Sequence, residues 1–479
     1  MNKTVLLLIL GLTSSLFAQK AKFKISKSNR KALASTGYVR CATVEYEKML
    51  AEENPAQIST AEFESWISSK IAKQESRSTT ARFASETYVV PVVVHVIHDG
   101  DEVNGIGNVF GENISDAQVK SQIAVLNQDF RRSANTPGGL NSTGLAVDVG
   151  IEFALAKQDL QGLETTGIIR HNIMPYTDDV DNASLTDYGG GGADWESYED
   201  LQKMKSDTQW DPTKYLNLWT VRMGGNSNED GGLKDLLGFA QFPGNSGLGG
   251  LRKYEGSPYT DGVVIAYHAF GDHKKDDGSF VMNTAYNEGR TTTHEVGHWL
   301  GLRHIWGDSA TCGNDDYCDD TPEATEGHTN CRDYDTCISD GLGKDMVENY
   351  MDYTADTCMD TFTQDQKERM IAVMKNSPRR VELLNSPALE EPLYSNRELE
   401  SFVVNPNPIT DFGKIVGFAN GTVVLSVYDV SGKRVLSKRY YNVEEVFYEE
   451  IDLGVLVSGV YILLIENEGK KVIKRILKK

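Results

Sequence analysis

The chain has 479 residues, enough for two to four domains at roughly 100–200 residues each. Hydrophobic residues at 39% and charged residues at 24% exclude a mostly disordered or collagen-like chain. With 48 basic against 69 acidic side chains the net charge is −21, which speaks against a nucleic-acid partner and suits carboxylates that hold hard cations.

Met1 to Ala18 reads as a signal peptide: Lys3 gives the positive start, Val5 to Leu12 the apolar run, and Ser14, Ser15 and Ala18 the small residues near a cut. The run is too short for a membrane anchor, and no later segment is apolar for the ~20 residues a span needs. Residues 19–84 form a polar leading segment with helical patches at Glu45–Leu50 and Ala61–Ile71. The stretch Gln74 to Ser85 reads as an exposed linker open to proteolysis. Tyr88 to Ile97 (YVVPVVVHVI) predicts a buried strand whose ladder Pro91 breaks. Ile114 to Phe130 predicts an amphipathic helix entered through Ser115. Val149–Ala156, Leu216–Met223 and Gly262–Tyr267 predict further strands, separated by Gly-rich loops at Gly189–Gly192 and Gly224–Gly232. Together these suggest one α/β domain over 85–388. Beyond Pro387 the texture changes: Val423–Val430, Val460–Ile465 and Lys471–Leu477 alternate around a turn at Asp429, Ser431 and Gly432, predicting an all-β sandwich over 400–479.

The chemistry concentrates in HEVGHWLGLRH, residues 294–304. On a helix His294 and His298, four apart, project from one face and can grip one Zn²⁺. Glu295 sits beside the first ligand and can reach a water activated by the metal without ligating. Gly301 lets the chain turn with positive φ and deliver His304 as a third nitrogen. Three protein ligands leave a fourth position open, which defines a catalytic site. Six cysteines accompany the motif: Cys41, Cys312, Cys318, Cys331, Cys337 and Cys358, five of them within 47 positions. In an exported chain that clustering reads as disulfide bonding; a zinc knuckle would require CxxC pairs, which are absent. Four cysteines allow three connectivities, so spacing alone does not pair them.

The extended motif resembles that of metzincin metalloproteases, and Asn349-Tyr350-Met351-Asp352-Tyr353 resembles their Met-turn. HEVGHWLGLRHIWGD, the DDTP at Asp319–Pro322 and NYMDY together resemble the pappalysin family, specifically its bacterial ulilysin- and mirolysin-like members, cytophagalysin among them. The likeness covers about residues 85–385. It implies an α/β metzincin catalytic domain: a twisted mixed sheet, an active-site helix and a smaller irregular C-terminal subdomain, followed here by the C-terminal all-β sandwich. It implies a zinc endopeptidase in which Glu295 is general base and acid, Met351 an apolar floor, and Tyr353 a donor to the developing oxyanion.

The same resemblance implies calcium at Asp316 and Thr321. The crowding of Asp315, Asp316, Asp319, Asp320 and Thr321 in one window points the same way, because so many oxygens need neutralising. It implies pairing of Cys312 with Cys337 and of Cys331 with Cys358, leaving Cys318 over. It implies a cysteine switch in the pro-segment, and Val39-Arg40-Cys41 fits, since a thiolate can fill the open zinc position until cleavage. It implies a preference for Arg after the scissile bond, which makes Ser76-Arg77 and Ala81-Arg82 self-cleavage points. A pocket for that Arg needs an acid, and Asp356 is the candidate.

Val404-Asn405-Pro406-Asn407-Pro408, Val427-Tyr428-Asp429-Val430-Ser431-Gly432-Lys433 and Ser458-Gly459-Val460-Tyr461 resemble the C-terminal sorting domain of type IX secretion in Bacteroidota. That implies the type IX machinery as a partner and a secreted or cell-surface location. The expected protein is a zymogen, monomeric when mature, that acts on protein or peptide substrates and engages no nucleic acid. The rival reading is a surface adhesin with a vestigial metal site; an intact Glu295 and an available Tyr353 argue against it.

Overall fold

The computed structural model describes residues 25–54, 56–78, 87–109, 111–173, 194–195, 198–224, 233–245, 256–283, 285–313, 316–392, 402–444 and 446–479. Met1–Ala18, Ala81-Arg82, Gly189–Gly192 and Asp315 lie outside the described residues. The described residues begin with three helices: α1 Lys27–Thr36, α2 Thr43–Glu53 and α3 Thr60–Ser78. Ser26 caps α1 by accepting from the Asn29 amide at 3.1 Å, and Gly37 closes it at φ 82°. Helix α3 continues through Ser76 and Arg77 to Ser78, across a stretch that the composition reads as linker from Gln74. The straight-chain residues Lys73, Gln74 and Glu75 are good helix formers, and they carry α3 into the serine-rich stretch.

The α/β body follows as β1 Tyr88–His98, α4 Asp116–Phe130, β2 Ile151–Leu155, β3 Ile168–Asn172, β4 Asp194–Trp195, α5 Tyr198–Thr208, β5 Leu216–Met223, β6 Gly238–Ala240 and β7 Val263–Ala266. The sheet runs β2–β1–β5–β7–β6, with β3 also on β1 and β4 on β5. All pairings are parallel except β6, which lies antiparallel on β7 at the edge. Strand β1 is flanked on both sides and buried at every residue but Val89, which is why it reads as an unbroken apolar run. Pro91 does not interrupt it. Pairing with β5 starts at Val92, so Pro91 sits opposite β2 alone, where the missing donor points past the start of β5.

Helix α6, Arg290–Trp299, enters the core behind the sheet, and every one of its residues is buried. The chain then runs through turns to α7 Gln364–Asn376, whose Thr363 and Gln366 form a capping box, and α8 Arg380–Leu383. Among the described residues this part holds no named strand, and it is the smaller, irregular half of the α/β body. Two disulfides, Cys312–Cys337 and Cys331–Cys358, close loops of 25 and 27 residues there. Cys318 is buried and reduced. A buried charge cluster ties the halves together: Asp261 accepts from Arg380 at 2.7 Å and from Arg379, and Arg380 also lies 3.8 Å over the Trp299 ring.

The tail is all-β and antiparallel: β8 Val403–Asn405, β9 Phe412–Phe418, β10 Gly421–Asp429, β11 Arg434–Val443, β12 Val446–Asp452, β13 Gly459–Asn467 and β14 Lys470–Lys478. Its sheets β11–β10–β13–β14 and β12–β9–β8 share a core that includes Ile415, Leu425, Phe447, Leu463 and Ile476. The Asp429 carboxylate accepts from the Ser431 and Lys433 amides, which makes the turn read from the sequence. Among the described residues no helix is long and apolar enough to cross a membrane.

His95 on β1 is fully buried. Its ring nitrogens lie 3.0 Å from His171 Nε2 and 2.9 Å from Asn217 Oδ1, and it stacks on Trp219. Burial, and then the neighbouring His171, push its pKa down to about 3; burial pushes His171 down to about 4. Both stay neutral in the fold while the unfolded chain takes up protons below about pH 6.5. Their stabilising contribution is therefore full above pH 6.5. It drains as pH falls toward 4, by about 1.4 kcal/mol per pH unit for each histidine. Thermal unfolding with chelator present is expected to show a falling melting temperature over that window. The double variant His95→Gln, His171→Gln is expected to flatten the slope, and an unchanged slope would refute the assignment.

Candidate metal centre

Helix α6 starts from Gly289 at φ 80° and ends at Trp299; Gly301, at φ 90°, then turns the chain. A Cβ on Gly301 would meet Val373 Cγ2 at 2.9 Å, so the turn is also tightly packed. Three imidazoles converge. His298 Nε2 lies 3.1 Å from the Nε2 atoms of both His294 and His304, and all three rings are buried.

The opposite ring nitrogens set which atoms turn toward the centre. His294 Nδ1 faces the Tyr350 carbonyl at 2.7 Å, His298 Nδ1 the Leu302 carbonyl at 2.8 Å, and His304 Nδ1 the Asp308 carboxylate at 2.7 Å. Carbonyl and carboxylate oxygens only accept, so each Nδ1 carries the proton. Burial and the neighbouring rings hold His294 and His298 well below the usual imidazole range, so neither takes a second proton. As neutral imidazoles the three rings turn their Nε2 lone pairs toward one another, an arrangement that repels unless a cation lies among them. A nitrogen donor set of this kind fits Zn²⁺.

Around this point the Met-turn supplies a floor. A Cβ on Gly297 would meet Met351 Sδ at 2.5 Å, so the thioether abuts the helix that carries the two histidines. Trp306 stacks on His304 at 4.3 Å. Tyr353 packs edge-on to His304, and its hydroxyl donates to the Cys41 carbonyl at 3.4 Å. Glu295 is buried beside the imidazoles, and its pKa rises to about 7, chiefly through burial.

The N-terminal segment occupies the site. Cys41 Sγ belongs to one cluster with the three imidazoles, all donor atoms within 4.8 Å of one another. Burial, then the charge of Glu295, push this thiol up. The hydroxyl of Thr43 donates to Glu295 Oε2 at 2.8 Å and accepts from the Ala240 amide at 2.8 Å. Val39 exchanges backbone hydrogen bonds with Asp235 and Leu237, and the Ala42 amide donates to the Gly238 carbonyl, so the segment covers the edge beside β6. The Arg40 guanidinium is fully buried. It pairs with Asp356 at 3.1 Å and lies 4.4 Å over the Tyr286 ring. Asp356 in turn accepts from the Glu288 and Arg290 amides at 2.9 and 3.2 Å. Farther out, Glu47 pairs with Arg303, and Glu64 with Arg369 through two 2.6 Å bonds.

In the acidic loop, Thr321 donates to Asp316 at 2.8 Å, and both are buried. Asp319 is exposed, and the Asp320 carboxylate accepts from the Asp365 amide at the start of α7. Among the described residues Asp316, Asp319 and Asp320 do not draw together as the histidines do. Sequence reasoning missed Thr43, Arg40 as a pocket occupant, Tyr286 as that pocket's wall, and the pair Trp306 and Asp308. The last two stand in the quoted run HIWGD, and Asp308 is four residues past His304.

Residues 273–375 match the peptidase family M43, described as pregnancy-associated plasma protein-A. Residues 403–479 match the secretion system C-terminal sorting domain. An extracellular metalloprotease of Arthroderma gypseum is 29% identical over 63% of this chain and 77% of its own length. One from Arthroderma benhamiae is 25% identical over 70% and 93%. Mature mirolysin of Tannerella forsythia, solved with a cleaved peptide, is 37% identical over 63% of this chain and 97% of that one, with a TM-score of 0.46. The chain carries a pappalysin-type (M43) peptidase domain. It is a metalloendopeptidase, secreted or held at the cell surface, whose tail is a type IX sorting domain. A metzincin implies zinc, and the histidine cluster is compatible with it.

Proposed function

We propose that this metalloendopeptidase is made as a zymogen: residues 1–18 are the signal peptide, 19–84 the pro-segment, 85–388 the catalytic domain and 400–479 the sorting domain. His294, His298 and His304 would hold one zinc ion, which when bound supplies Lewis acidity toward water and a peptide carbonyl. The observation that carries this is the set of three lone pairs facing one point, with Glu295 beside it.

The chain's own residues do the rest. Glu295 takes a proton from the attacking water at its carboxylate and hands it to the departing amine nitrogen. Tyr353 Oη donates to the carbonyl oxygen as charge develops there; its hydrogen bond to the Cys41 carbonyl is the ground-state likeness of that contact. Met351 seals the site from below. Glu295→Ala is expected to keep one zinc per chain and lose at least about a hundredfold in activity. Peptidase activity equal to the parent's would remove Glu295 from the mechanism.

Specificity for Arg after the scissile bond is proposed to rest on Asp356. The support is the seating of Arg40, paired with that carboxylate and lying over Tyr286. Arg40 and Cys41 then act together: one fills the specificity pocket, the other takes the open metal position. Thr43 parks on the general base, and self-cleavage at Ser76-Arg77 or Ala81-Arg82 starts release. Asp356→Asn, which keeps the shape and loses the charge, is expected to cut kcat/KM for Arg peptides by roughly 30-fold or more relative to Ala peptides. An unchanged Arg-to-Ala ratio would move the pocket elsewhere.

Calcium is proposed on the loop at Asp316 and Thr321, with Asp319 and Asp320 as further carboxylates. The support is a buried carboxylate in a loop rich in acids, between elements already stapled by disulfides. EGTA is expected to lower the melting temperature by several degrees, and adding back calcium is expected to restore what zinc alone does not. An EGTA-insensitive unfolding curve would dismiss the site.

A further inference from the structure

Tyr38 and Arg40 are two residues apart on an extended stretch whose middle residue, Val39, bridges to Leu236. Residues at that spacing face the same side of a strand. Arg40 enters the Asp356 pocket over the Tyr286 ring. Tyr38 meets the same ring edge-on, centroids 6.1 Å apart and planes at 85°. On its other side is His268, 5.8 Å away and tilted by 48°. His268 is itself held in place: Asn283 Nδ2 lies 3.2 Å from His268 Nδ1 and donates to the His268 carbonyl at 3.1 Å. Burial keeps this imidazole below its ordinary pKa, so it presents a neutral ring. One tyrosine ring is thus shared between two adjoining notches, one for a guanidinium and one for an aromatic side chain.

We propose that His268 and Tyr286 form an aromatic subsite beside the arginine pocket, selecting substrates with an aromatic residue two positions after the arginine. This rests on the proposed arginine pocket and sharpens it. Chain polarity fixes the position. In the N-terminal segment the cysteine at the metal centre follows Arg40, whereas in a substrate cut before its arginine the scissile bond precedes the arginine. The segment therefore lies backwards relative to a substrate, and Tyr38, which precedes Arg40 by two, marks the place of a residue that follows a substrate's arginine by two. An edge-on ring on one side and a tilted ring on the other favour a π-system over an aliphatic chain of equal bulk.

The test uses enzyme activated from the full-length proenzyme, and quenched peptides cut before a single arginine. Tyr, Leu or Ala stands two residues after the arginine, or Tyr two residues before it. Tyr after the arginine is expected to raise kcat/KM over Ala by about three- to tenfold, with Leu below Tyr. His268→Ala is expected to bring that Tyr-to-Ala ratio close to one, and His268→Phe, which keeps a ring, to preserve it. A ratio near one in the parent protein overturns the subsite, as does a preference that survives His268→Ala. Replacing the arginine by alanine separates the two readings. Indifference to that replacement overturns the arginine pocket, whereas arginine-dependent cleavage without a tyrosine preference overturns the aromatic subsite alone.

Discussion

Three imidazoles whose outer nitrogens are committed as donors have only lone pairs left to turn inward. That constraint organises the centre of the molecule. Tyr350, Leu302 and Asp308 fix the proton positions, and these acceptors come from the Met-turn, from the turn after α6 and from the loop beyond His304. The site is thus held by three separate pieces of chain. Gly297 allows Met351 to press against the helix, and Gly301 bends the chain so that His304 meets its companions. Without a cation at the focus, three lone pairs of neutral rings would oppose one another, so on the proposed reading zinc would also help to hold the site together.

The N-terminal segment answers each feature of the cleft with a matching group. Cys41 stands at the metal cluster, Thr43 on Glu295, Arg40 on Asp356, Tyr38 against Tyr286 and His268, and Val39 on the backbone edge beside β6. Helix α3 adds Phe63, Trp66 and Ile67 against Ala372 and Val373 on α7. On the proposed reading, latency is therefore spread over a strand pairing, an ion pair, a hydroxyl and a thiol. On the same reading the segment would resist cleavage because its polarity is reversed, while its side chains would match what the cleft takes.

Much of the centre was legible because its information is local. Eleven residues, 294–304, carry helix spacing, the turn glycine and all three imidazoles, and five further residues carry the Met-turn. The unbroken apolar run of β1 announced a strand covered on both faces. Harder to read were contacts that join residues far apart in the chain, such as Arg40 with Asp356 or Thr43 with Glu295, for which spacing carries no signal. Pro91 looked disruptive because its neighbour strands were unknown; the register shows that its missing donor faces no partner. In the tail, β11 escaped notice because it is an edge strand, exposed or half-buried throughout, so its alternation is weak. In the acidic loop Thr321 hydrogen-bonds Asp316 while Asp319 is exposed, an arrangement that closeness in sequence does not specify.

The central claim is that three nitrogens and, before activation, one sulfur share a single zinc ion. X-ray absorption at the zinc edge, recorded on purified proenzyme and on the activated enzyme, tests it most directly. The account predicts one zinc per chain in both, with one sulfur neighbour beside three imidazole nitrogens in the proenzyme and none after activation. A metal-free proenzyme, or a zinc shell of nitrogen and oxygen alone before activation, would contradict it.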